Sequence, residues 1–137
     1  MHQKKSKEIP CPCGQPKNYA ACCGNFHAGN PAPTAEALMR SRYSAYVLML
    51  EPYLLATWHA STRPSSLELA EERNTRWLGL EIRKNESTGN DSAIVEFVAR
   101  YRVAGRAHRL HETSRFLRED GRWYYLDGEF PAKDNHP

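Results

Sequence analysis

The sequence predicts an α+β protein, with helices in the first half, antiparallel strands in the second and a small metal-binding unit in front. Three observations carry this. Between Thr34 and Glu72 apolar residues recur at helical spacing, whereas from Leu78 to Asp127 they alternate with polar ones. All four cysteines fall within the thirteen residues from Cys11 to Cys23. A chain of 137 residues has room for one ordinary domain and a small appendage.

The cysteines read Cys11-x-Cys13-x8-Cys22-Cys23, and four clustered thiols form a complete ligand set for one metal ion. Tetrahedral thiolate sites suit zinc, and a site closed by four cysteines is structural because it leaves no position for water. Disulfides require an oxidising compartment, and the charged N-terminus lacks an apolar signal core, so a cytoplasmic location with reduced thiols is expected. Iron–sulfur clusters usually use wider spacings. His27, four residues past Cys23, competes with it as fourth ligand; Gly24 favours Cys23 by allowing a sharp turn.

Gly29-Asn-Pro-Ala-Pro33 is a linker, since two prolines disfavour helix before Thr34. It is expected to insulate a metal unit at 1–28 from a domain at 34–130, with a tail at 131–137. Thr34 is a plausible N-cap, with Glu36 favouring the helix dipole. Met39, Tyr43, Tyr46, Val47 and Leu50 then mark an amphipathic helix. Pro52 suits the first turn of a short second helix through Trp58. Ser65 and Glu68 form a capping box for a third through Glu72.

Leu78, Leu80 and Ile82 alternate as a half-buried strand. Ala93, Val95, Phe97, Ala99, Tyr101 and Val103 share one face of a second strand. After the turn at Ala104-Gly105-Arg106, the residues Leu110, Glu112, Ser114 and Phe116 share a face of a third. Asp120-Gly121 is a strong hairpin signal, and Trp123, Tyr125 and Asp127 are expected on one face of the last strand.

The hydrophobic fraction of 40% suffices for a core, and no apolar run approaches the ~18 residues of a membrane span. The formal charge of +3 is mild, and four thiolates on one zinc would lower it by about two. This argues against nucleic acid as the main ligand, which usually demands a clustered patch. Lys4, Lys5 and Lys7 cluster at a terminus that reads as solvated.

The segment Cys11 to Gly24 resembles the SEC-C motif, the zinc-binding module named for the C-terminus of the SecA translocase. Gly14, Lys17, Tyr19, Cys22, Cys23 and Gly24 match, and Gln15-Pro16 replaces the usual Ser-Gly. The blocks Thr34 to Tyr46, Thr57-Trp-His-Ala-Ser-Thr-Arg-Pro64, His111-Glu-x-Ser-x-Phe116 and Gly121-Arg-Trp-Tyr-Tyr-Leu-Asp-Gly128 resemble the bacterial YchJ-like proteins. That resemblance implies a SEC-C module joined to an NTF2-like cone of about three helices on a curved sheet of about four strands. It also implies a protein or ribosome-associated partner for the zinc module.

Such a cone often encloses a pocket, and its polar lining separates enzyme from binder. The pocket candidates are Tyr43, Trp58, His59, Arg63, Glu112, Ser114, Trp123 and Tyr125. Glu112 shares the inward face with Leu110 and Phe116, so it needs a partner; Arg42, His59 and Arg63 are candidates. Glu112, His59 and Tyr125 would make an acid/base set. The plainer reading is a satisfied polar network fixing helices to sheet, with Tyr43, Trp58 and Trp123 as core. No Gly-x-Ser-x-Gly elbow supports a hydrolase. The expectation is therefore a zinc-stabilised adaptor, with a pocket-based enzyme or small-molecule binder as the alternative.

Overall fold

A computed structural model describes residues 9–72 and 74–130. Lys4, Lys5 and Lys7 and the expected tail lie outside the described residues. Three helices and four strands run in order: α1 (Cys23–His27), α2 (Ala35–Val47), α3 (Glu51–Ala56), β1 (Thr75–Ser87), β2 (Ser92–Val103), β3 (Arg106–Glu119) and β4 (Arg122–Glu129). The sheet has the order β1-β2-β3-β4, with every neighbouring pair antiparallel, and the helices cover one face.

The N-cap of α2 is Thr34, whose side-chain oxygen accepts from the Ala37 amide at 3.0 Å. Pro52 stands in the first turn of α3, where its missing N–H costs nothing. The expected third helix does not form. Glu68 sits at a φ of 52°, and the Glu51 carboxylate takes the Leu67 and Leu69 amides at 3.0 and 3.2 Å. Only a 3-10 turn, Leu69–Glu72, remains there. Glu51 thus supplies from α3 the acceptors that the local capping box was expected to provide.

Two tight hairpins set the register. Ala104 and Gly105 have φ of 52° and 84°, and Asp120 and Gly121 have 52° and 80°, the paired left-handed conformation of a type I′ turn. The alternation of β2 and β3 places Val95, Phe97, Ala99, Glu112, Ser114 and Phe116 toward the helices, as expected.

Bulges overturn two other faces. In β1 the register shifts between Trp77 and Gly79, so Trp77, Leu80 and Ile82 pack inward while Leu78 is 46% exposed. In β4 a shift between Tyr125 and Asp127 turns Asp127 outward. There its carboxylate takes two hydrogen bonds from Arg115 at 2.6 and 2.7 Å, apart from Tyr125.

The core is continuous across the linker. The four cysteines and Ala32 belong to one buried cluster with Leu38, Met39, Tyr43, Phe97 and Phe116. The expected insulation between metal unit and domain gives way to shared packing. A smaller cluster of Ala45, Leu54 and Leu69 lies where α2 meets α3.

Candidate functional site

The cysteines converge because Cys11 and Cys13 flank a turn ending at Gly14, with φ of 92°, while Cys22 and Cys23 open α1. Their sulfurs all lie within 4.8 Å of one another, with Cys13 and Cys22 at 3.6 Å. Four sulfurs at about 2.3 Å from one tetrahedral ion lie about 3.8 Å apart, so the donor set fits a metal. The same spacing is far beyond a disulfide bond, and all four cysteines are free.

The thiols also fit a metal electrostatically. Cys13 is lowered to about 5, chiefly by a hydrogen bond from Cys23 and against the opposing effect of burial. Cys23 is pushed far up, first by that bond and then by burial, and Cys22 is pushed up to about 11, first by burial. The protein alone therefore favours one thiolate in the cluster, and four require an added cation.

His27 stands outside the ligand set. Its Nε2 donates to the Ser41 carbonyl at 2.8 Å, which leaves Nδ1 to accept from the Tyr19 hydroxyl at 2.6 Å. Burial lowers its pKa, partly opposed by the Ser41 bond, and keeps the ring neutral. His27 is thus a clamp between the cysteine unit and α2. Arg40 is a second clamp, donating to the Cys13 carbonyl at 3.0 Å, and Cys11 Sγ lies 3.7 Å from Ser44 Oγ. Gly24 serves close approach: a β-carbon there would meet the Tyr19 carbonyl at 2.7 Å and its ring at 2.9 Å.

On the sheet side of α2 lies a cavity of about 210 Å³. Of the expected pocket residues, Tyr43, Trp58, Glu112, Ser114 and Tyr125 line it, together with Arg42. His59 does not: its Nε2 binds Glu119 at 2.6 Å and its Nδ1 lies 2.7 Å from Ser61 Oγ. Arg63 is exposed and donates to the Trp58 carbonyl at 3.0 Å. Trp123 lies near the opposite end of the sheet, beside Phe26 and Ala32. Tyr46 and Trp77 line the cavity and were not expected there. Tyr46 was legible at helical spacing from Tyr43; Trp77 required knowledge of the β1 bulge.

Glu112 is 9% exposed. Its Oε2 accepts from Ser114 Oγ at 2.8 Å and Tyr125 Oη at 3.1 Å. Its Oε1 has no partner among the described residues. Gly128 on β4 makes room for this carboxylate, which a β-carbon there would overlap. Arg42, 3% exposed, donates through one nitrogen to the Leu54 carbonyl and to Thr57 Oγ1, both at 2.8 Å. Its guanidinium carbon lies 4.6 and 5.1 Å from the ring centres of Tyr125 and Trp58, a desolvated cation–π arrangement. Burial lowers the Arg42 pKa; nearby tyrosines and Glu112 oppose the shift. Burial, then the neighbouring Glu112 charge, raises that of Tyr125. Arg42 and Glu112 form no ion pair within 4 Å, so each balances the other across the cavity.

Helices on one face of an antiparallel sheet, a pocket between them and a cysteine unit in front define an NTF2-like protein with a cysteine cluster able to hold a metal. The profile described as "YchJ, middle NTF2-like domain" matches residues 34–128, beginning at the N-cap of α2. The chain belongs to the YchJ family. It is 61% identical over 127 residues to a UPF0225 protein of Methylibium petroleiphilum, covering 91% of each chain. A UPF0225 protein of Chromobacterium violaceum is 57% identical, with coverage of 93% of this chain and 98% of that one. The solution structure of a SEC-C motif containing protein from Rhodopseudomonas palustris aligns with TM-score 0.79 and 34% identity, over 90% of this chain and 99% of that one. The crystal structure of a SEC-C motif containing protein from Psychrobacter arcticus aligns with TM-score 0.76 and 29% identity, over 92% and 85%. Among the described residues no helix is long and apolar enough to cross a membrane.

Proposed function

We propose that this is a zinc-stabilised binding protein whose ligand site is the cavity beside α2. Cys11, Cys13, Cys22 and Cys23 would hold one Zn²⁺ as thiolates, a structural site without an open position. Reduced thiols able to hold a metal would suit a cytoplasmic location. The observation that carries the ligand site is that, among the described residues, Glu112 Oε1 has no partner in a cavity whose other charged group, Arg42, keeps two nitrogens without hydrogen bonds. An apolar cavity of roughly 150 Å³ admits benzene, so about 210 Å³ suits a single substituted ring. Tyr43, Tyr46, Trp58 and Trp77 would pack on the ring, Arg42 would bind an acceptor and Glu112 would bind a donor. Binding is favoured over turnover because His59, the expected second acid/base group, points to Glu119.

The test is titration with 4-hydroxybenzoate and 4-aminobenzoate, read by fluorescence of Trp58 and Trp77, beside mass spectrometry of small molecules released from purified protein. Saturable quenching that Arg42→Met abolishes supports the site. Neither compound binding, with no released ligand, counts against it.

The adaptor reading retains one specific surface. Ile9 is 61% exposed, its carbonyl accepts from the Tyr19 amide, and, two residues on, the Cys11 amide donates to the carbonyl of exposed Lys17. A partner retained by wild type and lost with Ile9→Asp would support docking there; equal retention would remove it.

A further inference from the structure

The sheet face turned away from the helices carries a row of arginines that the linear sequence scatters over thirty-four residues. Because Trp77, Phe97 and Ala99 point inward and Tyr101 packs on the Trp77 ring, their strand neighbours Arg76, Arg100 and Arg102 point outward. The register then sets Arg76 directly opposite Arg102, and Arg100 directly opposite Arg109. Like charges in directly opposed positions destabilise a sheet, with β-carbons about 4.5–5.5 Å apart. The two pairs are adjacent, since Arg100 and Arg102 lie two residues apart on one strand, about 6.8 Å. Arg106 stands at the neighbouring turn.

The fold supplies almost no counter-charge. Arg100 reaches Glu81 at 3.4 Å, and Glu81 also serves Arg83 at 3.3 Å. Arg76, Arg102 and Arg109 have no ion pair or hydrogen bond among the described residues. Elsewhere on this face Glu96 is engaged with His111 at 2.7 Å and Asp127 with Arg115 at 2.6 Å. Small residues border the row, Gly79 opposite Arg100 and Ala107 opposite Arg102, so side chains do not cover it.

We infer that the outer ends of β1, β2 and β3 form a docking surface for the phosphate backbone of single-stranded RNA, gripped by Arg76, Arg100, Arg102 and Arg109. Guanidinium groups bind phosphate bidentately, so unpaired arginines suit successive phosphates. The occupant is single-stranded because, among the described residues, the open sheet face presents no helix or arm to enter a duplex groove. RNA is the nucleic acid that commonly presents long unpaired runs. Exposed Leu78, at the β1 bulge beside Arg76, offers a base an apolar contact. A second copy of this chain is disfavoured because Glu96 and Asp127 on the same face are already paired. The surface lies on the other side of the sheet from the cavity and does not depend on it.

The test is fluorescence anisotropy of a fluorescein-labelled 20-nucleotide oligouridine with the full-length zinc-loaded protein. Non-specific binding of this kind gives a dissociation constant of roughly 1–100 µM in low salt, and four phosphate contacts on a single strand give a log–log salt slope of about −3. Arg100→Glu with Arg102→Glu should weaken binding at least tenfold while leaving the circular dichroism spectrum unchanged. Arg76→Gln and Arg109→Gln should each reduce the slope by about 0.7. Lys17→Glu, in the cysteine unit, should leave binding unchanged. The inference is overturned if wild type gives no anisotropy change at 100 µM protein, or if the charge-reversed variant binds equally. It is also overturned if labelled polyglutamate binds as tightly as the oligouridine, or if wild type is a dimer that the charge reversal dissociates.

Discussion

Helix α2 separates two buried polar clusters that meet the cost of burial in opposite ways. On one side, four thiols crowd together with His27 and Arg40 clamping their loops, and the cluster lacks its own counter-charge. It can carry four negative charges only around a cation from outside. On the other side, Arg42 and Glu112 supply charges of opposite sign from α2 and β3, and the space between them stays open. A metal held by all four thiolates would close the first cluster and make it a stabilising site. The second balances its own charges and, among the described residues, still leaves an oxygen and two nitrogens without hydrogen bonds, which is the basis of the proposed ligand site.

The largest expected effect is loss of the metal. Cys13→Ser, or prolonged chelation, removes a contribution that is roughly 10–16 kcal/mol in structural zinc sites, against a total stability of roughly 5–15 kcal/mol for a domain. Since the cysteines share the core of α2 and the sheet, unfolding should spread beyond residues 11–27. Far-ultraviolet circular dichroism should show loss of both helix and strand, and native mass spectrometry of intact protein should show one zinc per chain. Retention of the sheet signal after complete stripping would mean that the two sides of α2 are independent after all.

Next comes the charge pair of the cavity. Arg42→Met leaves the Leu54 carbonyl without its donor and Glu112 without its compensating charge, a loss of about 4 kcal/mol. Glu112→Ala should cost about 3 kcal/mol because the Ser114 and Tyr125 hydroxyls lose their acceptor, and Glu112→Gln should cost about 1 kcal/mol. Gly128→Ala should resemble Glu112→Ala, since it displaces the carboxylate without removing it. Thermal melts rank all four. If Glu112→Ala is neutral or stabilising, the carboxylate is strained for function, and an enzyme becomes the better reading.

A smaller effect belongs to the clamp. His27→Ala breaks the links to Tyr19 and Ser41 and should cost about 1–2 kcal/mol while leaving the zinc stoichiometry at one. A loss of metal in this variant would make His27 a ligand.

The smallest concerns the outer ion pair. The Arg115 hydrogen bonds hold the Asp127 pKa below its usual value, so the folded state favours the ionised carboxylate. The stabilisation is present above a pH of about 3.9 and is lost as the pH falls through the lowered folded value. The pair is solvent-exposed, so Asp127→Asn should cost a few tenths of a kcal/mol at neutral pH, with the difference vanishing in acid.

Much of this was legible locally. The Thr34 cap, the Asp120-Gly121 hairpin and the inward face from Leu110 to Phe116 each follow from residues close in sequence, because caps, turns and pleats are short-range. The gathering of Cys23 with the other three cysteines was also legible, although the reason for Gly24 was not: Tyr19 occupies the space a side chain would need. The third helix failed because Glu51, sixteen residues before Leu67, captured its amides.

By itself, then, the sequence determined the order of helices and strands, the hairpins and the cysteine cluster, since these depend on periodicity, turn chemistry and thiol spacing over a few residues. Only the tertiary structure decided which faces the β1 and β4 bulges reverse. It also turned His59 toward Glu119 and away from Glu112, and made the cysteine unit part of the main core. The opposed arginine pairs of the outer face arise in the same way. Each depends on groups distant in the chain meeting in one register, and a single extra residue in a strand changes which side a side chain faces.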